Sequence, residues 1–184
     1  MEKSIAVKQE GKDDCGLAVA TRRFLMRKQP LPEDLTAQLG ITPHQGTDNE
    51  TLAQVLGKYF KGEVKIGTTV EEIQAAIQKG ITVIVNILHL YANGPDDLEK
   101  KNPFAEGFCR TNPAGWDASL GDHIFWDGHY VTVLKVDEEK VTYADPQDGK
   151  DHEIPISKFK KLWRAYYNEL AAWALFVGEP INES

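Results

Sequence analysis

Four side chains of this sequence have the types and spacing of a site for thiol chemistry. Cys15 sits in Gly11-Lys12-Asp13-Asp14-Cys15-Gly16-Leu17-Ala18, with Gln9 six positions upstream. The thiolate, not the thiol, is the nucleophile, so the surroundings of Cys15 must favour a negative charge. Asp13 or Asp14 can cap a helix there. Leu17, Ala20, Phe24 and Lys28, flanked by Ala18 and Leu25, then recur at helical spacing on one face. Cys15 would lie in the first turn, where backbone N–H groups without helical partners and the positive end of the dipole attract an anion. Gln9, ahead of the helix, can fold back and give its amide N–H to the oxyanion that forms after attack.

A nucleophilic cysteine needs a base, and the base needs a group to orient it. His129 lies in Gly128-His129-Tyr130-Val131-Thr132-Val133-Leu134 and opens a run of apolar and β-branched residues. Such a run predicts a strand, Tyr130–Val136, that would hold the imidazole on a rigid element. Asp137-Glu138-Glu139-Lys140 reads as a hairpin connection, and Val141–Ala144 as the returning strand. Asp145 follows, sixteen residues after His129. Folding the hairpin over sets Asp145 beside His129, where it can accept the imidazole N–H and fix the tautomer.

Taken in order, Gln-x5-Cys-Gly-x-Ala, Gly-His-Tyr-Val-x-Val and Ala-Asp-Pro-x-x-Gly resemble the bacteriocin-processing (double-glycine) peptidase family and its stand-alone relatives. That family is a branch of the papain-like cysteine peptidases. The resemblance implies an α+β papain-like fold, a helical lobe packed on an antiparallel sheet with the catalytic cleft between them. It implies Cys15 as nucleophile, His129 as general base, Asp145 as orienting carboxylate and Gln9 as oxyanion donor. Peptides cut after a small pair such as Gly-Gly are the substrate class it suggests. The family's best-known members are fused to a membrane exporter, a role not carried over to this chain.

The chain departs from the family pattern between the apolar strand Ile81–Leu88 and Gly128. About forty residues lie there, well beyond a common loop length. They mix Asn93-Gly94-Pro95, Asn102-Pro103, Asn112-Pro113 and Gly115 with Tyr91, Phe104, Phe108, Trp116, Phe125 and Trp126. Disordered linkers seldom carry so many aromatics. The expectation is one domain over residues 1–184 with an ordered insert at about 89–127 that packs over the cleft.

Composition bounds the function from outside. With 184 residues, 41% of them hydrophobic and 27% charged, the chain can bury a sizeable core. A net charge of −7 disfavours nucleic acid and anionic membranes as partners and suits a peptide or protein substrate. No stretch is long enough to span a bilayer, and Met1-Glu2-Lys3-Ser4 begins no signal peptide, so a cytoplasmic location is expected. Two cysteines give no disulfide framework. No cofactor or metal is expected.

The remaining pattern places helices early and strands late, an α+β order. Asp48 can cap a helix bearing Leu52, Val55, Leu56 and Tyr59 that Gly62 ends, and Val64-Lys65-Ile66 reads as a short strand. Thr69-Val70-Glu71-Glu72 fits a capping box, with Ile73, Ala76 and Ile77 facing inward and Gly80 closing the helix. A strand around His152–Ile156, a helix with Phe159, Leu162 and Trp163, and a strand Trp173–Val177 complete the chain.

Each assignment has a plainer rival. A lone cysteine is most often a small core residue, and a lone strand histidine is most often structural. Asp145 before Pro146 is also a good turn former, and the two roles are compatible. Gln9 alone would need no explanation. Cys109 lacks a helix start and a paired histidine and reads as a packed thiol. Asp122, His123 and Asp127, even with His89 or His152, lack the tight spacing of a zinc site. Asn49-Glu50-Thr51 and Asn182-Glu183-Ser184 match a glycosylation acceptor by chance. Two functional alternatives stay open: an acyl transferase or deamidase on the same triad, and an inactive peptide-binding module.

Overall fold

The computed structural model describes residues 5–11, 13–41, 46–90, 126–164 and 172–181. Helices α1 (Cys15–Met26), α2 (Leu35–Gln38) and α3 (Asn49–Gly57) come first. Strand β1 (Phe60–Lys65), helix α4 (Val70–Gln78) and strand β2 (Thr82–Leu90) follow. Strands β3 (Trp126–Val136), β4 (Lys140–Asp145) and β5 (Lys150–Pro155), helix α5 (Ile156–Arg164) and strand β6 (Ala174–Pro180) complete it. The strands form one six-stranded sheet in the order β1-β6-β2-β3-β4-β5. Every neighbouring pair is antiparallel. The expected α+β fold is the observed one.

Alternation along the strands sorts the core onto two faces. Val83, Val85 and Ile87 of β2 and Val131 and Val133 of β3 meet Ile73 of α4 and Phe159 and Trp163 of α5. Ile84, Tyr130, Leu175 and Val177 point the other way, into the helical lobe of α1, α2 and α3. The lobe therefore packs on one face, as expected, while α4 and α5 close the other. The central strands β2, β3 and β6 are thereby buried on both faces. The edge strands β1 and β5 carry exposed Lys and Glu, which discourage further strand pairing.

Local chemistry fixed several boundaries. Asp48 caps α3 by accepting the Thr51 N–H at 2.8 Å. Thr69 and Glu72 form the reciprocal capping box of α4. Gly80 follows in the left-handed region, at φ +75. Other expectations were displaced. Tyr59 falls beyond α3, and Gly62 does not end that helix; it sits within β1, at a register shift against β6. Lys28 lies past the end of α1, at φ +52. The buried side of α1 carries Ala18, Val19, Arg22, Arg23 and Phe24, whereas Leu25 is exposed.

Arg23 explains why apolar periodicity misread that helix. Its guanidinium donates to Thr82 Oγ1 at 2.7 Å and to the Gly178 carbonyl, and lies over the Phe60 ring. Burial, followed by the charge of Arg27, brings its pKa down to about 10. A buried cation survives where its donors are used, so a charged residue occupies a core position.

The insert boundaries also moved. β2 and β3 stay paired as far as Leu90↔Trp126, so residues 89–90 and 126–127 belong to the ladder. Residues 91–125, with Cys109 and His123, lie outside the described residues. The loop expected over the cleft falls in that span.

Replacing Thr69 with Ala removes the hydroxyl that accepts the Glu72 N–H, while the backbone N–H at 69 can still donate to the Glu72 carboxylate, and is expected to lower stability by about 1 kcal/mol. Urea denaturation measures this, and an unchanged midpoint would show that the cap does not hold α4.

Candidate active site

Cys15 is the first residue of α1, as its sequence context required, and only 5% of it is exposed. Asp14 occupies the capping position, but its carboxylate turns backward and accepts the Gly11 N–H at 2.7 Å instead of a helical N–H. The expected cap is therefore a brace for the preceding turn. Gly16 follows because a side chain does not fit: a Cβ there would lie 2.9 Å from Thr47 Cβ. Thr47 in turn sits under Tyr130, whose hydroxyl lies 3.0 Å from the Thr47 carbonyl and 2.7 Å from Asn49 Oδ1. Asn86 donates to the same Asn49 oxygen at 3.0 Å. Asn49, read above as a chance glycosylation acceptor, is thus part of the packing behind the cysteine.

His129 does not open its strand. It is the fourth residue of β3 and is paired with Ile87 of β2. Its Nε2 lies 2.7 Å from Asp145 Oδ1, with the imidazole 0% exposed. The proximity of these two residues depends on a feature not foreseen in the hairpin. Val136↔Val141 and Lys135↔Thr142 share one register, but Val133↔Tyr143 and Thr132↔Ala144 share another, shifted by one residue at Leu134. Without that bulge Asp145 would stand opposite Thr132, on the face away from His129. With it, the ladder ends at Thr132↔Ala144, and Asp145, the next residue, reaches His129. Core packing records the same shift, since Val131, Val133 and Val136 all face one cluster despite the odd step between the last two.

The carboxylate is further held by its own turn. Asp145 Oδ1 accepts the Gln147 N–H at 2.8 Å, and the Asp145 carbonyl accepts the Gly149 N–H at 2.9 Å. Gly149 sits at φ +72, a conformation glycine adopts without strain.

Asp145 takes Nε2, which leaves Nδ1 on the other side of the ring, and Cys15 lies close enough to His129 to strengthen its hold on a proton. Burial alone would lower the His129 pKa. The hydrogen bond to Asp145, then the hydrogen bond and charge of Cys15, outweigh it and raise the value from 6.5 to about 9. The surroundings are therefore built to keep a proton on this buried ring.

Gln9 is buried, and its backbone N–H donates to the Pro146 carbonyl at 2.7 Å, directly after Asp145. Its Nε2 donates one N–H to the Gly11 carbonyl at 2.7 Å. His129 and Asp145 are thus hydrogen-bonded, Cys15 lies close enough to act on the imidazole, and Gln9 is tied by its backbone to the turn after Asp145. His152 lies elsewhere, stacked on Tyr143 and 3.1 Å from Asp148 Oδ2. Among the described residues no three His, Cys, Asp or Glu side chains cluster to hold a metal. No described helix is long and apolar enough to cross a membrane.

The model of the Peptidase_C39 like family matches residues 27–171. The chain belongs to that family. The matched span contains His129 and Asp145 and begins after Cys15 and Gln9, so the N-terminal half of the site rests on the geometry above. Among solved structures, a Bacillus anthracis protein assigned as a C39-like peptidase superposes with a TM-score of 0.61 at 14% identity, covering 99% of this chain and 96% of that one. The peptidase domain of Streptococcus ComA, a bi-functional ABC transporter of a quorum-sensing pathway, gives 0.61 at 15% identity, covering 96% and 99%. At these identities the likeness is one of fold, and it is papain-like, as the motifs implied. No curated protein matches the chain.

A raised pKa means that the folded state binds the proton more tightly than the unfolded one. The stability gained is full below pH 6.5 and is lost as pH rises through about 9. The destabilisation caused by Asp145→Asn should therefore be largest below pH 6.5 and shrink above 9. Chemical denaturation across that range, with NMR titration of the imidazole, measures it. A penalty that grows with pH would contradict the pairing.

Proposed function

We propose that this chain is a cysteine peptidase that works through Cys15, His129 and Asp145. The observation that carries this is the buried arrangement itself: a thiol at a helix start, beside an imidazole whose Nε2 is held by a carboxylate at 2.7 Å. A structural cysteine or histidine needs none of these arrangements together. Family membership supports the reaction class.

In the proposed mechanism Cys15 gives its proton to His129 and attacks the peptide carbonyl. The negative charge that forms on the carbonyl oxygen falls beside the start of α1. There the Cys15 N–H and the Gln9 side-chain amide stabilise it. Protonated His129 then donates its proton to the leaving amine, which departs and leaves a thioester on Cys15. Water, deprotonated by His129, attacks the thioester and releases the acid. Asp145 keeps the imidazole in one orientation throughout and stabilises its charged form. Small residues at the cleaved bond, such as Gly-Gly, are the first substrates to try.

Peptides with an internal Gly-Gly, assayed by mass spectrometry, test the proposal. Cys15→Ala should reduce cleavage to background. Gln9→Ala should cost roughly 100-fold in kcat, the usual scale for one oxyanion donor. Wild-type activity should fall on the alkaline side with an apparent pKa near 9, and Asp145→Asn should move that limb downward. Full activity in Cys15→Ala would remove the proposal. Product captured by added amine in preference to water would make the protein an acyl transferase on the same residues.

A further inference from the structure

The chain before α1 is held in place by the helix that carries the thiol. Arg22 lies seven residues after Cys15, two turns along α1 on the same side, with Ala18 and Val19 between them. It is 4% exposed, and its Nη1 donates to the Ile5 carbonyl. Four residues on, Gln9 donates its backbone N–H to Pro146 at 2.7 Å, and Gly11 donates to the Asp14 carboxylate at 2.7 Å. Residues 5–11 therefore form a strap fastened at three points.

The strap is also closely packed. Ala6 and Val7 share a void of only about 10 Å³ with Ala18, Val19, Thr132 and Ala144. A Cβ on Gly149 would lie 3.0 Å from Lys8 Cβ, so the turn after Asp145 presses on the strap. Of the three fastenings, only the Ile5 end depends on a buried charged side chain. Burial draws the Arg22 pKa down and the charge of Asp151 offsets part of this. A guanidinium is costly in such a place unless its donors are used. One of those donors serves the strap, at the Ile5 carbonyl.

We infer that Arg22 is a positioning residue for the oxyanion donor: by holding Ile5 it fixes the strap that presents Gln9 to the reacting carbonyl. This role rests on the peptidase mechanism above. One helix then positions both the nucleophile and the group that must meet the charge the nucleophile creates. Releasing Ile5 leaves the strap fastened only from Gln9 onward and loosens the amide, while the Cys15–His129–Asp145 series stays in place.

Two reactions of the same thiol separate this role from a merely structural one. Alkylation by iodoacetamide is a direct displacement, in which the thiolate takes the CH₂ carbon and iodide leaves. It forms no carbonyl oxyanion. Acylation by a p-nitrophenyl ester forms one before p-nitrophenolate departs. Wild type, Arg22→Gln, Gln9→Ala and the double variant are compared in both, with hydrogen exchange at the Gln9 amide as a readout independent of activity. We expect Arg22→Gln to alkylate within about twofold of wild type while acylating about tenfold more slowly. The double variant should acylate no more slowly than Gln9→Ala alone, because both act through one group. Arg22→Lys, which still offers a donor, should recover part of the loss.

Equal slowing of both reactions, unchanged acylation, or additive losses in the double variant would overturn the role. A wild type that alkylates but never acylates would overturn the peptidase mechanism itself, and the oxyanion role with it. Faster exchange at Gln9 in Arg22→Gln would then still show that Arg22 fastens the strap.

Discussion

An imidazole with no exposed surface keeps a proton only if something nearby compensates for the lost water. Here the compensation is the 2.7 Å contact between His129 Nε2 and Asp145 Oδ1. Much of the surrounding structure serves that contact. The bulge at Leu134 brings the two residues to one side of the sheet, the Asp145–Gly149 turn fixes the carboxylate, and β2 supports His129 from its other edge. Because Asp145 occupies Nε2, Nδ1 is the nitrogen left to take the thiol proton in the proposed mechanism. The direction in which the imidazole handles protons is therefore set by strand register.

The thiol is positioned by different means. The start of α1 is fitted against residues 46–47, where Gly16 admits Thr47 and a Cβ on Gly46 would lie 3.0 Å from the Asp13 carbonyl. Tyr130, the residue after His129, reaches across to the same loop. Neighbouring residues of β3 thus serve opposite faces of the sheet. His129 meets Asp145, and Tyr130 braces the segment on which Cys15 rests. The Gly-His-Tyr order links His129 to the scaffold of Cys15 within three residues.

Much of this could be read from residue order, and the exceptions have physical causes. Asp48, Thr69 and Gly80 act through their nearest neighbours, so their roles were visible in a few residues of sequence. The pairing of His129 with Asp145 was also visible, but only as proximity. The hairpin count was right about closeness and silent on side, because a bulge leaves no mark in apolar alternation as short as Val131–Val136. Burial along α1 was misjudged because Arg22 and Arg23 count as polar in any periodicity. Their burial depends on carbonyls of Ile5 and Gly178, far away in the chain. The one available signal for Arg22 was its place seven residues after Cys15 on the same helical side. Asp14 likewise has a capping residue's identity and a different partner, a choice made by the turn at Gly11.

The central claim is that Cys15 and His129 act as a pair, so each should govern the reactivity of the other. The most direct measurement is the rate of Cys15 alkylation by iodoacetamide against pH, in wild type and in His129→Ala, with adducts mapped by mass spectrometry to separate Cys15 from Cys109. A pair in which the imidazole holds the thiol proton predicts rapid labelling at pH 6 in wild type, lost in the variant. Labelling that rises with pH like an ordinary thiol, about pKa 8.5, in both proteins would contradict the account and leave the fold as a peptide-binding module.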